Sequence, residues 1–230
     1  MSAVPYFDTH VTAMATNREA GTEALCYTQQ VALLESLIEP GMTVLDIGCG
    51  PELPYTPPAR TFVIGLDPSS ASLAANRDID AGILGSAERI SLDDASADLV
   101  VAFYALHHIT AATPRKTFLK RRQAFWEMRR VLKPGGELLV FEMCPRPWAA
   151  TLQRLLWPTA KHLLGDRLDA HFWTGAQIEA ALPYRARVHR FDCSAFETFP
   201  PILSLPWLRI PRFLFPFDAM LYRWRKEIPA

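Results

Sequence analysis

The stretch VLDIGCGPELPYTPPARTFVIGLDPS, from Val44 to Ser69, decides the fold of this chain. It begins as a short apolar run, breaks into glycine and proline, and returns to a second apolar run that ends at Asp67. Short apolar runs rich in β-branched residues are typical of strands that are buried on both faces. The stretch therefore predicts two neighbouring strands of a parallel sheet, with a glycine loop after the first and a carboxylate at the end of the second.

An alternation of strands and helices extends this pattern along the chain, at about one pair every 30 residues. The predicted strands are 43–48, 61–67, 81–87, 97–106, 137–143 and 184–194, and the predicted helices are 22–38, 69–78, 114–132, 150–164 with a break at Pro158, and 174–182. Such alternation is typical of parallel βαβ units. We therefore predict an α/β fold with a doubly wound, mainly parallel, Rossmann-like sheet in three αβα layers. Ligands of such sheets bind outside the carboxyl ends of the strands.

The connection between the first two strands is short. Only 11 residues lie between Gly50 and Phe62, and four of them are prolines. A parallel crossover needs about a dozen residues and is usually helical. We therefore predict that residues 51–61 form an irregular connection, which we call the strap, in place of the first crossover helix.

The composition of the chain narrows the classes of partner and compartment. The 230 residues carry a formal net charge of zero, whereas nucleic-acid binders usually have a basic surplus because phosphate contacts dominate their affinity. The four cysteines form no CxxC pair, so we predict reduced thiols in the cytoplasm and no metal site. The sequence shows no secretory signal pattern and no apolar run of membrane-spanning length. We expect a cytoplasmic protein without a nucleic-acid partner.

The glycine loop and the two strand-end acids predict a nucleoside-containing ligand. Gly48 and Gly50 allow positive φ and let a ligand approach the backbone, and the exposed amides of such a loop can donate to an anionic group. Asp46 precedes the loop, and Asp67 ends the next strand. A carboxylate at that strand end can accept hydrogen bonds from both vicinal hydroxyls of a ribose.

The same loop argues against a dinucleotide. The fingerprint GxGxxG has a third glycine where this chain has Leu53, and no lysine or arginine follows the loop before Arg60. A nucleotide-dependent oxidoreductase on a similar sheet remains the alternative from another class of enzyme.

Four blocks of the sequence resemble the class I S-adenosylmethionine-dependent methyltransferases, and within them the ubiquinone and menaquinone C-methyltransferases. The blocks are VLDIGCGP at 44–51, VIGLDPS at 63–69, ADLVVAFYALHHI at 97–109 and EMRRVLKPGGELLVFE at 127–142. The resemblance implies that S-adenosylmethionine is the cofactor of a methyl transfer. The zero net charge and the aromatic-rich tail favour a small lipophilic acceptor such as a quinone, phenol, polyketide or lipid. A non-catalytic partner or scaffold on the same fold is a further alternative.

The resemblance also implies which residues contact the cofactor. The glycine loop would lie against its methionine part, Asp46 would orient the loop, and Asp67 would hold the ribose hydroxyls. Ser86 stands where many family members carry an aspartate that reads the adenine amino group. The complete implied set is Asp46, Gly48, Cys49, Gly50, Asp67, Pro68, Ser86, Ala87, Glu88, Phe103 and Tyr104.

Five further residues are candidates for catalysis or acceptor binding. His107 and His108 follow the fourth strand, where a histidine could take a proton from the acceptor; packing of the loop is the other interpretation. Glu142 ends the fifth strand and could bind the acceptor or simply be solvated. Tyr6 and Tyr27 belong to an N-terminal segment that, by the resemblance, would close over the cavity.

We divide the chain into three parts. Residues 1–40 are predicted to form a helical lid and residues 41–194 the cofactor-binding core. Residues 195–230 are rich in proline and aromatic side chains. This tail could pack on the core, wall the acceptor pocket, or make peripheral contact with a membrane.

Overall fold

The computed structural model describes residues 27–164, 170–182, 185–192, 198–199, 210–211 and 214–228. The helices are α1 (Tyr27–Leu37), α2 (Ser70–Ala75), α3 (Pro114–Val131), α4 (Pro147–Leu164) and α5 (Gly175–Ala181). The strands are β1 (Thr43–Ile47), β2 (Phe62–Asp67), β3 (Ala81–Leu84), β4 (Ala97–Phe103), β5 (Leu132–Pro145), β6 (Arg187–Arg190), β7 (Thr198–Phe199), β8 (Ile210–Pro211) and β9 (Phe217–Arg225). A single 3₁₀ turn, Leu106–His108, follows β4.

Seven of these strands form one sheet in the order β3-β2-β1-β4-β5-β9-β6. Strands β1 to β5 pair in parallel, and β9 runs antiparallel to both of its neighbours. The predicted α/β fold with a mainly parallel sheet is therefore confirmed. The order reverses beside β1, so β2 and β4 lie on opposite sides of it, and their carboxyl ends open a crevice at this point.

Hydrophobic residues cover both faces of the sheet. One face is packed by α3 and α5, and Phe125 and Met128 of α3 are completely buried there. The other face is packed by α1, whose Leu34 is completely buried against β1 and its neighbours. The central strands are thus covered on both sides, which explains why they read as continuous apolar runs.

Helix α3 begins and ends where its sequence dictates. The side chain of Thr113 accepts from the backbone N–H of Lys116, and Pro114 occupies the first turn, where its missing N–H leaves no hydrogen bond unmade. The helix ends at Val131, and β5 begins at the next residue. The KPGG sequence at 133–136 therefore lies within β5 and not in a loop before it.

The predicted irregular strap is confirmed, since no helix lies between β1 and β2. Two of its side chains are buried, Leu53 at 7% exposure and Tyr55 at 5%. The backbone N–H of Leu53 donates to Asp78 at 3.0 Å, and the Tyr55 hydroxyl donates to Asp46 at 2.9 Å. These contacts hold the strap in place without a helix.

Strand β9 was not predicted from the sequence. It pairs with β5 over nine residues, from Glu137↔Arg225 to Pro145↔Phe217, and its Tyr222 is 1% exposed. Within the predicted tail 195–230, this strand is an internal part of the sheet. Its side chains do not follow the alternation of a half-buried strand, which removes the usual signal from the sequence.

The predicted break at Pro158 is wrong, because α4 runs through this residue from Pro147 to Leu164. Proline lacks the N–H that would donate to the residue four positions earlier, so the helix loses one internal hydrogen bond there. The remaining turns of α4 and its packing hold the helix together. No helix in the described part of the chain is long and apolar enough to cross a membrane.

Candidate cofactor and acceptor site

A cavity of about 1070 Å³ opens at the carboxyl ends of β1, β2 and β4. All eleven residues predicted to contact the cofactor lie in its wall: Asp46, Gly48, Cys49, Gly50, Asp67, Pro68, Ser86, Ala87, Glu88, Phe103 and Tyr104. Tyr27 and His108 also line it, whereas His107 and Glu142 do not. Tyr6 lies outside the described residues.

The glycine loop, residues 48–50, has a backbone conformation that residues larger than glycine would not adopt here. Gly48 and Gly50 have φ of +72° and +62°, the left-handed region that glycine enters without steric cost. A Cβ atom on Gly48 would also come within 2.8 Å of the Cβ of Ala105. The N–H of Gly48 donates to the carbonyl of Leu66 at 2.7 Å, so the loop is fastened to β2 and presents bare backbone to the cavity.

Asp67 joins the glycine loop to the end of β2. One oxygen accepts from the N–H of Ser69 at 2.8 Å and the other from the N–H of Gly50 at 3.0 Å. A carboxylate oxygen has two lone pairs and can accept more than one hydrogen bond. Asp67 is only 7% exposed, and it lies in the cavity wall.

Asp46 and Cys49 contribute differently to the loop. Asp46 is 1% exposed and accepts from the Tyr55 hydroxyl; burial, and then the charge of Asp46, raises the pKa of Tyr55. Burial, followed by the charges of Asp46 and Asp67, raises the pKa of the Cys49 thiol far above its ordinary value. Because only the thiolate is a strong nucleophile, Cys49 is unsuited to covalent catalysis.

The segment after β3 faces the loop from the other side of the cavity. The N–H of Gly85 donates to the carbonyl of Asp67 at 3.1 Å, which holds the segment against the end of β2. The side chain of Ser86 accepts from the N–H of Glu88 at 3.4 Å. Glu88 forms an ion pair with Lys120 of α3 at 3.0 Å, so α3 closes this side of the cavity.

Aromatic side chains mark the end of β4. The ring of Phe103 has edge-to-face contacts with Tyr27 at 5.3 Å and with Tyr104 at 5.0 Å between centroids. Tyr104 has φ of +55°, a region that non-glycine residues seldom adopt. Its hydroxyl accepts from the Nε2 of Gln30 at 2.7 Å. Gln30 is completely buried in α1, and this bond fixes α1 over the cavity.

His107 and Glu142 form a buried pair behind the cavity wall. The Nδ1 of His107 lies 2.8 Å from one carboxylate oxygen of Glu142, and the backbone N–H of His107 donates to the other at 3.1 Å. Glu142 is 1% exposed and is therefore not solvated, contrary to one of the two interpretations of the sequence. These two contacts fix the orientation of the His107 ring.

His108 is the histidine that reaches the cavity. Its ring lies 4.1 Å from that of His107, between centroids. Burial lowers the pKa of His108 well below its ordinary value, and the charges of His107 and Arg121 lower it further. His108 is therefore neutral near pH 7, the form that can accept a proton.

Arg121 is a functional candidate that sequence reasoning missed. Its guanidinium is 1% exposed and donates to three carbonyls, those of Ile109 at 2.9 Å, His107 at 3.3 Å and His171 at 2.5 Å. It also lies 4.5 Å from the ring centre of Trp173. Burial lowers its pKa to about 10, against the opposing effect of Glu142, so it remains charged at neutral pH.

The position of Arg121 offered one signal in the sequence. It occupies the buried face of α3 together with Thr117 and Phe125, four residues away on either side, where a charged residue is uncommon. Gln30 similarly interrupts the apolar face of α1 four residues before Leu34. Such polar residues on a buried helix face indicate a specific buried partner, but the sequence does not say which.

Comparison with known proteins identifies the family. Residues 45–140 match the family described as Methyltransferase domain. The chain is 30% identical over 184 residues to the thiol S-methyltransferase TMT1B of Homo sapiens, a match covering 74% of this chain and 67% of that protein. It is 29% identical to the demethylmenaquinone methyltransferase of Corynebacterium glutamicum, over 62% of each chain. The chain belongs to the S-adenosylmethionine-dependent methyltransferases, as the resemblance to the quinone methyltransferases predicted.

Other relatives have different described acceptors and lengths. The chain is 26% identical to the "Probable tRNA methyltransferase 9B" of Bos taurus, over 68% of this chain and 34% of that one. This chain thus spans less than two thirds of the length of two of these three relatives. An S-adenosylmethionine-dependent methyltransferase of Thermotoga maritima superposes with a TM-score of 0.62, over 96% of this chain and 98% of that chain, at 18% identity. This likeness supports the fold alone.

Proposed function

We propose that this protein transfers a methyl group from S-adenosylmethionine to a small lipophilic acceptor. The observation that carries the proposal is that one cavity, of about 1070 Å³, contains in its wall all eleven predicted cofactor residues together with Tyr27 and His108. Membership of the methyltransferase family argues against the oxidoreductase alternative. A methyl-transfer assay distinguishes the proposal from the non-catalytic alternative, because a non-catalytic protein would show no turnover.

The described residues fit the cofactor in shape and chemistry. The left-handed Gly48 and Gly50 leave room for the methionine part beside bare backbone. Asp67 places a carboxylate in the cavity wall where it could hold the ribose hydroxyls, and Ser86 and Ala87 line the part of the cavity assigned to adenine. When bound, S-adenosylmethionine supplies a methyl group on a positively charged sulfur. This chain's residues hold that ligand and the acceptor in line, which can provide about 7 to 11 kcal/mol of the barrier reduction at most.

The acceptor half of the cavity is proposed to be the part beyond Phe103. Aromatic and apolar side chains surround it, including Tyr27, Phe103 and Ile109. Helix α1 is fixed over this part by the Gln30–Tyr104 hydrogen bond, which supports the proposal that residues 1–40 act as a lid excluding water. A quinone, phenol, polyketide or lipid would suit such a wall, and the site of methylation would be oxygen, carbon, nitrogen or sulfur of that acceptor.

We propose His108 as the residue that takes the acceptor's proton. It lines the cavity, and burial lowers its pKa, which leaves the ring neutral at pH 7 but makes it a weaker base than an ordinary histidine. The buried His107–Glu142 pair then holds the turn that presents His108, and Glu142 does not itself touch the acceptor.

Cytoplasmic location and the absence of a nucleic-acid partner remain part of this proposal. Cys49 and Cys144 are buried free thiols, which is consistent with a reducing compartment. Peripheral membrane contact through the tail 195–230 is proposed only for residues outside β9, since β9 lies within the sheet.

Calorimetry and methyl-transfer assays test the proposed function. We expect micromolar binding of S-adenosylmethionine and much weaker binding of NAD. Tritium from the labelled methyl group should enter an organic-extractable acceptor from a panel of quinols, phenols and thiols, and not a tRNA pool included as a second arm. Cofactor binding without turnover on any acceptor would favour the non-catalytic alternative. Label in the tRNA would show that the acceptor is a nucleic acid and not a small lipophilic molecule.

His108→Gln is expected to lower kcat at least tenfold for a phenol or quinol acceptor at pH 7, because base catalysis of the hydroxyl proton is lost. A thiol acceptor that is already ionised at the assay pH needs no base, so its turnover should change little. The dissociation constant of S-adenosylmethionine, measured by calorimetry on the same variant, serves as the control. Equal losses for both acceptors would mean that His108 only shapes the cavity.

A further inference from the structure

The charged residues in the cavity wall are separated by sign. The ends of β1, β2 and β3 and the residues that follow them contribute four carboxylates: Asp46, Glu52, Asp67 and Glu88. Helices α3 and α4 contribute three lysines, Lys116, Lys120 and Lys161, which we call the basic wall. From His108 onward, the described residues of the cavity wall include no aspartate or glutamate. The cavity therefore has an acidic side and a basic side.

The acidic side suits the cofactor, whereas the basic wall has no use for it. The sulfonium and ammonium groups of S-adenosylmethionine are positive, so carboxylates complement them. Its one carboxylate belongs to the methionine part, which is assigned to Gly48 and Gly50 on the acidic side. The adenine that completes the cofactor is neutral. The positive charge of the basic wall is thus left for the second ligand of the cavity.

One of the three lysines is already partly neutralised within the protein. The Nζ of Lys120 lies 3.0 Å from a carboxylate oxygen of Glu88. Lys116 stands four residues before Lys120 and therefore on the same side of α3. It is exposed, and Lys161, near the end of α4, is half-buried. Lys116 and Lys161 add positive charge beyond the Lys120–Glu88 pair.

An uncharged stretch of wall separates the lysines from the histidine that takes the acceptor's proton. Residues 109–112 connect the turn at His108 to α3, and all four line the cavity. Their sequence, Ile-Thr-Ala-Ala, offers mainly apolar surface. A ligand that follows this wall therefore meets His108 at one end, apolar side chains along its length, and Lys116 at the other end.

We propose that the acceptor carries an anionic group, such as a carboxylate, that binds to the basic wall while its nucleophilic atom lies at His108. This inference rests on the proposed function, because it concerns the acceptor of that methyl transfer. A cleft lined by one sign of charge concentrates ligands of the opposite sign. Since the whole chain has a formal net charge of zero, the attraction comes from where the lysines are placed. The acceptor is then a lipophilic acid and not a neutral lipophile.

Fluorescence titration with 6-hydroxy-2-naphthoate and with its methyl ester tests this proposal without methyl transfer. The two probes share the same naphthol and differ by one negative charge. We expect the naphthoate to bind at least about tenfold more tightly than the ester at low salt, the sum of two modest lysine–carboxylate attractions. The preference should shrink in about 0.5 M NaCl, because salt screens exposed charges. The titration is performed both on the cofactor-free chain and in the presence of S-adenosylhomocysteine.

The double variant Lys116→Met/Lys161→Met should reduce the preference for the naphthoate to about twofold or less, because the charge is removed and the length of the side chains is kept. The matched control is Arg115→Met/Arg154→Met. It removes two positive charges from the same two helices, at exposed positions that do not line the cavity. The control should retain the preference of the unmodified chain.

Three results would overturn the proposal. They are absence of naphthoate binding, equal affinity of the unmodified chain for the acid and the ester, and equal losses in the two double variants. Calorimetry with S-adenosylmethionine on Lys116→Met/Lys161→Met adds a fourth: an equal loss of cofactor affinity would assign the lysines to the carboxylate of the cofactor. If the unmodified chain fails to bind S-adenosylmethionine, the proposed function fails, whereas the naphthoate preference of the cofactor-free chain is measured separately.

Discussion

Asp67→Ala is expected to weaken the binding of S-adenosylmethionine at least about 100-fold in calorimetry. The carboxylate would lose its bonds to the ribose hydroxyls, and hydrogen bonds to a charged acceptor contribute about 1.5 to 3 kcal/mol each. Two such bonds correspond to a loss of about 3 kcal/mol or more, and every 1.4 kcal/mol is a factor of about ten. The variant also releases the N–H of Gly50, which loosens the glycine loop and acts in the same direction.

Asp78→Ala is the matched control for this effect on the loop. Asp78 likewise accepts from a backbone N–H of the first crossover, that of Leu53, but it does not line the cavity. Its replacement should change the affinity for the cofactor by less than about threefold, below 1 kcal/mol. If both variants bind alike, the acid at the end of β2 acts only as a brace for the crossover and the ribose assignment fails.

Arg121→Met is expected to lower the free energy of unfolding by about 3 kcal/mol, measured by denaturant titration. The carbonyls of Ile109 and His171 would lose the Arg121 donor, whereas that of His107 would keep the N–H of His171 at 2.9 Å. Each unsatisfied buried polar group costs about 1 to 3 kcal/mol. Removal of a buried charge returns part of this cost, but Glu142 would then keep its own charge without the compensating guanidinium. The contact with Trp173 would also be lost.

Arg122→Met provides the comparison, since Arg122 is the next residue of α3 and is exposed. Surface replacements of this kind usually alter stability by less than about 0.5 kcal/mol. Arg121 joins the turn at His107 to the segment at His171, so its loss should also lower turnover at substrate saturation. An Arg121→Met protein within 0.5 kcal/mol of the unmodified chain would show that the carbonyls of Ile109 and His171 find other donors.

The parts of the fold that were predicted share one property, which is that their signal is local. Strands β1, β2 and β4 are recognisable in the sequence as short apolar runs because both of their faces are covered. The left-handed glycines and Asp67 stand within a few residues of the strand ends that position them. Because parallel strands end at a common edge, local signals on separate strands were sufficient to predict which residues share this cavity wall.

The parts that were missed depend on residues far apart in the chain. Arg121 contacts His171, 50 positions away in the sequence, and Glu142 contacts His107, 35 positions away. The sequence around one member of such a pair does not indicate which residue is its partner. Strand β9 was hidden for a related reason: its place between β5 and β6 is set by pairing with strands already present, and its own side chains lack a regular alternation.

The sequence by itself determined the type of sheet, the family and a set of residues that the structure brings together in one cavity wall, because those features follow from strand patterns and loop chemistry within a few positions. Only the tertiary structure decided that His108 faces the cavity while His107 pairs with Glu142 behind it, and that α3 and α4 bring lysines to the same cavity wall. Which side of a helix or turn is buried depends on the surface packed against it, and that surface is assembled from distant segments of the chain.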